Sequence, residues 1–126
     1  MSNTELKMNI NNKIEETKVM VSRMERSLKT HKHHEEMDVL MNILAYQKNL
    51  IRIDQITLMI IVSSEQNKSK ETLVSLNKKR KEYIMTGMEL HESLVSSGAF
   101  SEQSYIEFCN HHKQDCDLLD ADLNDY

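Results

Sequence analysis

The stretch Met37–Val62, MDVLMNILAYQKNLIRIDQITLMIIV, decides how the rest of the chain folds. Apolar residues recur along it at steps of three and four, the spacing that lines one side of an α-helix. One line is Val39, Ile43, Tyr46, Leu50, Ile53 and Ile60, with Thr57 in its gap. A second, adjacent line is Met37, Leu40, Leu44, Ile51, Leu58 and Ile61, interrupted by Gln47 and Asp54. Two adjacent lines make a face wider than one partner helix covers, so this helix is expected at the centre of the fold.

Toward the N-terminus, residues from about Thr4 to Lys29 carry a single line: Ile10, Ile14, Val21, Met24 and Leu28, with Thr17 filling the remaining position. One apolar line predicts a peripheral helix laid against one neighbour. Continued past the polar, His-rich stretch Thr30–His34, the line lands on Glu35, Asp38 and Asn42. The phase is lost there, which predicts a turn near residues 30–35. Glu35, Glu36 and Asp38 then fall in the first turn of the central helix, where negative charge favours the dipole.

Toward the C-terminus, Ser63–Lys70 is polar on every side, and the next apolar line is Leu73, Leu76, Tyr83, Leu90 and Leu94. That line is out of register with both lines of the central helix, so a turn and a third helix are expected; a bent continuous helix is the alternative. Arg80 and Gly87 stand on the same line. Gly87 would admit close approach of another backbone, and Arg80 would snorkel or pair with Asp54. Gly98 suits a helix C-terminus and Ser101 an N-cap. Phe100 and Tyr105 flank that cap with the spacing of a hydrophobic staple. A last helix shows Tyr105, Cys109, His112, Cys116, Leu119 and Leu123, then ends in Asp115, Asp117, Asp120, Asp122 and Asp125. Acidic charge opposes a helix C-terminus, so residues of about 119–126 read as a frayed acidic tail.

The 126 residues include no Pro and two Gly, with straight-chain helix formers plentiful. The reading is all-α: one domain over 1–126, an antiparallel bundle of three long helices plus a shorter C-terminal helix. The alternative is a coiled-coil hairpin completed by dimerisation. The polar start does not resemble a secretory signal, and the longest apolar run, Leu58–Val62, is too short to span a bilayer. Cys109 and Cys116 lie roughly 10 Å apart along a helix, too far for a disulfide, so free thiols in a cytoplasmic protein are expected. Net charge of −4 argues against general nucleic-acid or membrane affinity.

Three constellations carry possible chemistry. Cys109-x-x-His112-x-x-x-Cys116 has zinc-type ligands on one helical face, although its end thiols lie far apart for chelation. Lys78, Lys79 and Lys81, with Arg80, form the densest basic cluster, but four consecutive helical residues point all round the axis and no aromatics interleave for base stacking. His31, His33 and His34 suit a solvated turn better than a pH switch. Arg26-x-x-x-x-His31 resembles the Arg–His signature of helical HEPN ribonucleases, on those two residues alone. That resemblance implies an RNA-cleaving pair.

There is no Gly-rich phosphate loop, H-E-x-x-H pair or nucleophile elbow, so no catalytic residue and no cofactor are assigned. The expected function is a non-enzymatic helical protein-interaction module, an adaptor, inhibitor or escort, probing its partner by helix packing and self-associating. Nine Met give it an adaptable surface. Partner contacts are assigned to Met85, Met88, Leu118, Leu119, Leu123 and Tyr126, with Met20 and Met24 adding to the soft surface. Rival readings are a nucleic-acid or nucleotide binder using Lys78–Lys81 and a metal-dependent structural module using Cys109, His112 and Cys116.

Overall fold

The computed structural model describes residues 2–30, 34–108 and 110. Three long helices run in chain order, α1 (Asn3–Thr30), α2 (His34–Glu65) and α3 (Lys70–Ser96), followed by a short α4 over 102–108. Residues 31–33, where the first turn is expected, separate α1 from α2 and lie outside the described residues.

Ion pairs between α1 and α2 join Lys7 to Glu65, Lys13 to Asp54 and Glu25 to Lys48, so the two helices run antiparallel. Between α2 and α3, Tyr46 meets His91, Asn49 meets Tyr83 and Thr57 meets Arg80, again antiparallel. Both α1 and α3 pack on α2, and no close backbone approach links α1 with α3 among the described residues. The centrality of α2 expected from its two apolar lines is therefore the organising fact of this bundle.

The expected line of α1 is inside, with Ile14, Thr17 and Val21 buried. Thr17 and Thr57 each stand in a gap of an apolar line, and each hydroxyl donates to the carbonyl four residues earlier, Lys13 O at 2.8 Å and Ile53 O at 2.7 Å. That local bond removes the cost of burying a hydroxyl among apolar groups.

The inward line of α3 differs from the one its leucines suggest. Its buried residues are Leu73, Asn77, Arg80, Ile84, Gly87, His91 and Leu94, while Leu76, Tyr83 and Leu90 are half-buried at its edge. The buried set alternates steps of four and three without a break, the seam of a left-handed helix pair. Arg80 does not snorkel: it is only 3% exposed, and its Nε donates to Thr57 Oγ1 at 2.7 Å.

The break after α2 uses Asn67 in place of glycine. Asn67 has φ of 54°, its N–H donates to Ser64 O, and the Lys68 N–H donates to Ser63 O. This is a Schellman closure with Asn in the left-handed position. Ser69 then caps α3, its side chain accepting from the Thr72 N–H at 3.2 Å. After α3, Gly98 takes φ of +81° and the same closure forms, with Ala99 N–H donating to Leu94 O and Gly98 N–H to Val95 O. Ser101 caps α4, accepting from the Ser104 N–H at 3.1 Å.

Packing of α4 explains Gly87. A Cβ at Gly87 would lie 2.9 Å from Phe108 Cζ and 3.0 Å from Asn49 Nδ2. Two side chains, rather than the backbone expected from the sequence, approach here. The bare backbone also leaves Tyr83 O open to Asn49 Nδ2, which donates to it at 2.7 Å.

Candidate functional site

The helix that carries the fold also carries a run of partly exposed apolar side chains. Along α2, Met37, Met41, Leu44, Ile51, Leu58 and Val62 recur at steps of three, four and seven, on a face that α1 borders through the Lys48–Glu25 ion pair. Met37, Leu44, Ile51 and Leu58 are half-buried, while Met41 is 55% and Val62 37% exposed. Lys48 and Gln55 complete the repeat, both exposed. Neighbouring Met59 is 53% exposed. Seven-residue recurrence on an open helix face is the geometry of helix-on-helix docking.

Beside this face, α2 and α3 enclose a cleft of about 190 Å³. Ile56, Met59, Leu76 and Tyr83 form its apolar wall, and Arg52 and Lys79 stand at its rim. The basic cluster is thereby dispersed. Lys78 and Lys79 are exposed, Lys81 is half-buried and Arg80 is inside the bundle. Only Lys79 of this group lines the cleft. The four residues point in four directions, as their consecutive positions dictate.

Of the assigned partner residues, Met85 is 62% exposed, while Met88 is half-buried and packs against the core formed by Tyr46, Leu94 and Phe108. Met20 is 51% exposed and Met24 half-buried. Leu118, Leu119, Leu123 and Tyr126 lie outside the described residues, as do Cys109, His112 and Cys116. Among the described residues, no group of three His, Cys, Asp or Glu side chains is placed to hold a metal ion. No helix among them is long and apolar enough to cross a membrane. Arg26 Nε donates to Ser22 O on its own helix at 3.4 Å, and His31 lies outside the described residues.

Sequence reasoning missed the best-organised polar group, His91. It is 3% exposed and ringed by Tyr46, Phe100, Tyr105 and Phe108, with centroids 4.9 to 5.7 Å apart within this cluster. The staple expected between Phe100 and Tyr105 is thus built across the His91 ring, which both contact. Ser104 Oγ donates to Ser101 O at 2.7 Å, so it must accept from His91 Nε2–H at 2.9 Å. Nδ1 is then the acceptor for the Tyr46 hydroxyl at 3.1 Å. This directed chain, Tyr46 to His91 to Ser104 to Ser101, suits the neutral imidazole and ties α2, α3 and α4 together. Burial lowers the pKa of His91 below its ordinary value of 6.5.

Comparison with known proteins bears on none of these sites. No family model, no curated protein and no solved structure matches this chain. Function rests on the geometry alone. Among the described residues that geometry includes an enclosed polar hub, a small cleft with a cationic rim and a long, partly exposed apolar helix face. His91 is enclosed by rings and hydroxyls within the bundle, so its polar atoms are committed to holding α4.

Proposed function

We propose that this chain is a non-enzymatic helical protein-interaction module that acts by helix packing and associates with itself through the open face of α2. The observation that supports this reading is the seven-residue apolar repeat of α2, which α1 and α3 leave partly uncovered. Removing apolar surface from water is worth about 25 cal/mol per Å². A partner helix laid along Met41, Leu44, Ile51, Leu58 and Val62 would gain that term without rearranging the bundle. Methionines at 41 and 59 would let the surface adapt to the partner's shape. An adaptor, an inhibitor or an escort of helical clients, working in the cytoplasm, fits this mode of action.

Concentration dependence of the melting temperature tests the reading. Association that accompanies folding makes stability rise with protein concentration. The native chain is expected to show that rise, and Met41→Glu/Met59→Glu, two changes at exposed positions, to abolish it while leaving the helical circular dichroism unchanged. A melting temperature independent of concentration in the native chain would sink self-association.

A further inference from the structure

The cleft between α2 and α3 combines two features that do not need each other for folding. Its wall is mostly apolar, from Ile56, Met59, Leu76 and Tyr83 with the amide of Gln55 beside them, and its rim is cationic, from Arg52 on α2 and Lys79 on α3. Arg52 and Lys79 form no ion pair among the described residues, a state they share with Arg23, Lys29, Lys68, Lys70 and Lys78; what sets them apart is that both line the cleft. An unpaired surface cation is ordinary in isolation. Two of them on opposite rims of an apolar cleft select a ligand with apolar anchors and carboxylates side by side.

The chain itself supplies such a ligand. Between Asp115 and Asp125 it places five Asp among Leu118, Leu119 and Leu123, with no Lys or Arg. Those five charges exceed the chain's net −4, so the remainder is slightly basic. Reach is not limiting. Phe108 rests against Gly87, one helical turn from the Tyr83 wall of the cleft. Asp115 follows Asn110, the last described helical residue, by five residues, which span at most about 18 Å.

We propose that the acidic, leucine-bearing segment Asp115–Asp125 docks in the cleft of its own chain, with leucine side chains against Ile56, Met59 and Leu76 and aspartates meeting Arg52 and Lys79. Covalent linkage makes this contact strong for its size, because a short tether raises the effective concentration to about the millimolar range. Met59 belongs both to the cleft and to the open face of α2, so the docked segment competes with a partner helix at that end of the face. That competition rests on the interaction reading above; the docking itself does not.

Disulfide trapping in the full chain tests the docking. Cys109→Ser leaves Cys116 as the native thiol within the segment. Met59→Cys then places a second thiol at the cleft, and Met85→Cys serves as control. Met85 is exposed and two residues from Tyr83, hence on the opposite side of α3. Under mild oxidation the 59–116 disulfide is expected to form within one chain, about tenfold faster than 85–116, as tethered docking raises local concentration. Arg52→Glu/Lys79→Glu is expected to slow it by roughly fivefold, the scale of two exposed ion pairs. Equal rates at positions 59 and 85, or no effect of the charge reversal, would overturn the docking. Trapping only between chains would replace the chain's own segment with that of a second copy. The concentration dependence of melting reports on self-association separately, so the two readings fail independently.

Discussion

Replacing Gly87 with alanine sets two opposite tendencies against each other. In an exposed helix interior the change stabilises by about 1 kcal/mol, because glycine loses the most backbone freedom on folding. At this site the new Cβ would lie 2.9 Å from Phe108 Cζ, closer than a methyl group tolerates, and 3.0 Å from Asn49 Nδ2, which must give by a few tenths of an ångström. The ring must move, at an overpacking cost of about 1–3 kcal/mol, and Asn49 must shift and weaken its bond to Tyr83 O, about 1 kcal/mol more. The net effect is a destabilisation of about 1–3 kcal/mol. For a domain of this size that lowers the melting temperature by roughly 4 °C per kcal/mol. Urea and thermal unfolding followed by circular dichroism give the value, and a double-mutant cycle with Phe108→Ala locates its source. In the Phe108→Ala background most of the penalty should vanish, since the ring that the methyl group displaces is gone. An increase in stability for Gly87→Ala alone would refute the notch that seats α4.

Three further outcomes follow from the local chemistry. His91 is held neutral, with its folded pKa below the unfolded value of 6.5. Its contribution to stability is therefore complete above about pH 6.5 and is lost as pH falls below that value toward the lower, folded pKa, where the loss levels off. Urea midpoints between pH 7.5 and 5 should show this decline, and His91→Gln should flatten it; a parallel decline in the variant would assign it to other groups. Asn67, at φ of 54°, occupies a position that glycine adopts freely. Asn67→Gly should raise stability by about 0.5 kcal/mol, and Asn67→Val should lower it by roughly 1–2 kcal/mol in the same unfolding assay. Ser101→Ala removes the acceptor of the Ser104 N–H and should cost about 1 kcal/mol, read as earlier loss of α4 contacts by hydrogen exchange.

Most of the architecture was legible because apolar spacing reports directly on helix faces. Two adjacent lines in Met37–Val62 indicated a central helix, and α2 does contact both α1 and α3. Phase slips at 30–35 and 63–70 indicated turns, and α1 ends at Thr30 while α3 starts at Lys70. What escaped notice was polar. Asn49, Asn77 and His91 are buried and none adds to a hydrophobic pattern, whereas Arg80, also buried, stands on the inward line its spacing indicates. The leucines of α3 led the reading one row sideways, to Leu76, Tyr83 and Leu90, which are only half-buried. An uninterrupted four–three alternation through Leu73, Ile84 and Leu94 was the available signal. It passes through Asn77, Arg80, Gly87 and His91, and followed to its end it would have placed His91 inside. Within the second turn, the capping role of Asn67 was not legible: Asn67 performs a glycine's task, and its residue type is ambiguous between a cap and a polar surface. Of the residues assigned to sites, Met85 is exposed, Met88 is half-buried against the core, and Arg80 of the basic cluster faces inward.

Light-scattering mass of the native chain in solution, measured across a hundredfold range of concentration, tests the central claim most directly. If the open face of α2 exists to receive another helix, the mass should rise above that of one chain as concentration increases. Leu44→Glu/Ile51→Glu, in the middle of that face, should then return it to a single-chain mass with helicity retained. A native chain that stays at single-chain mass over the whole range would contradict self-association through α2.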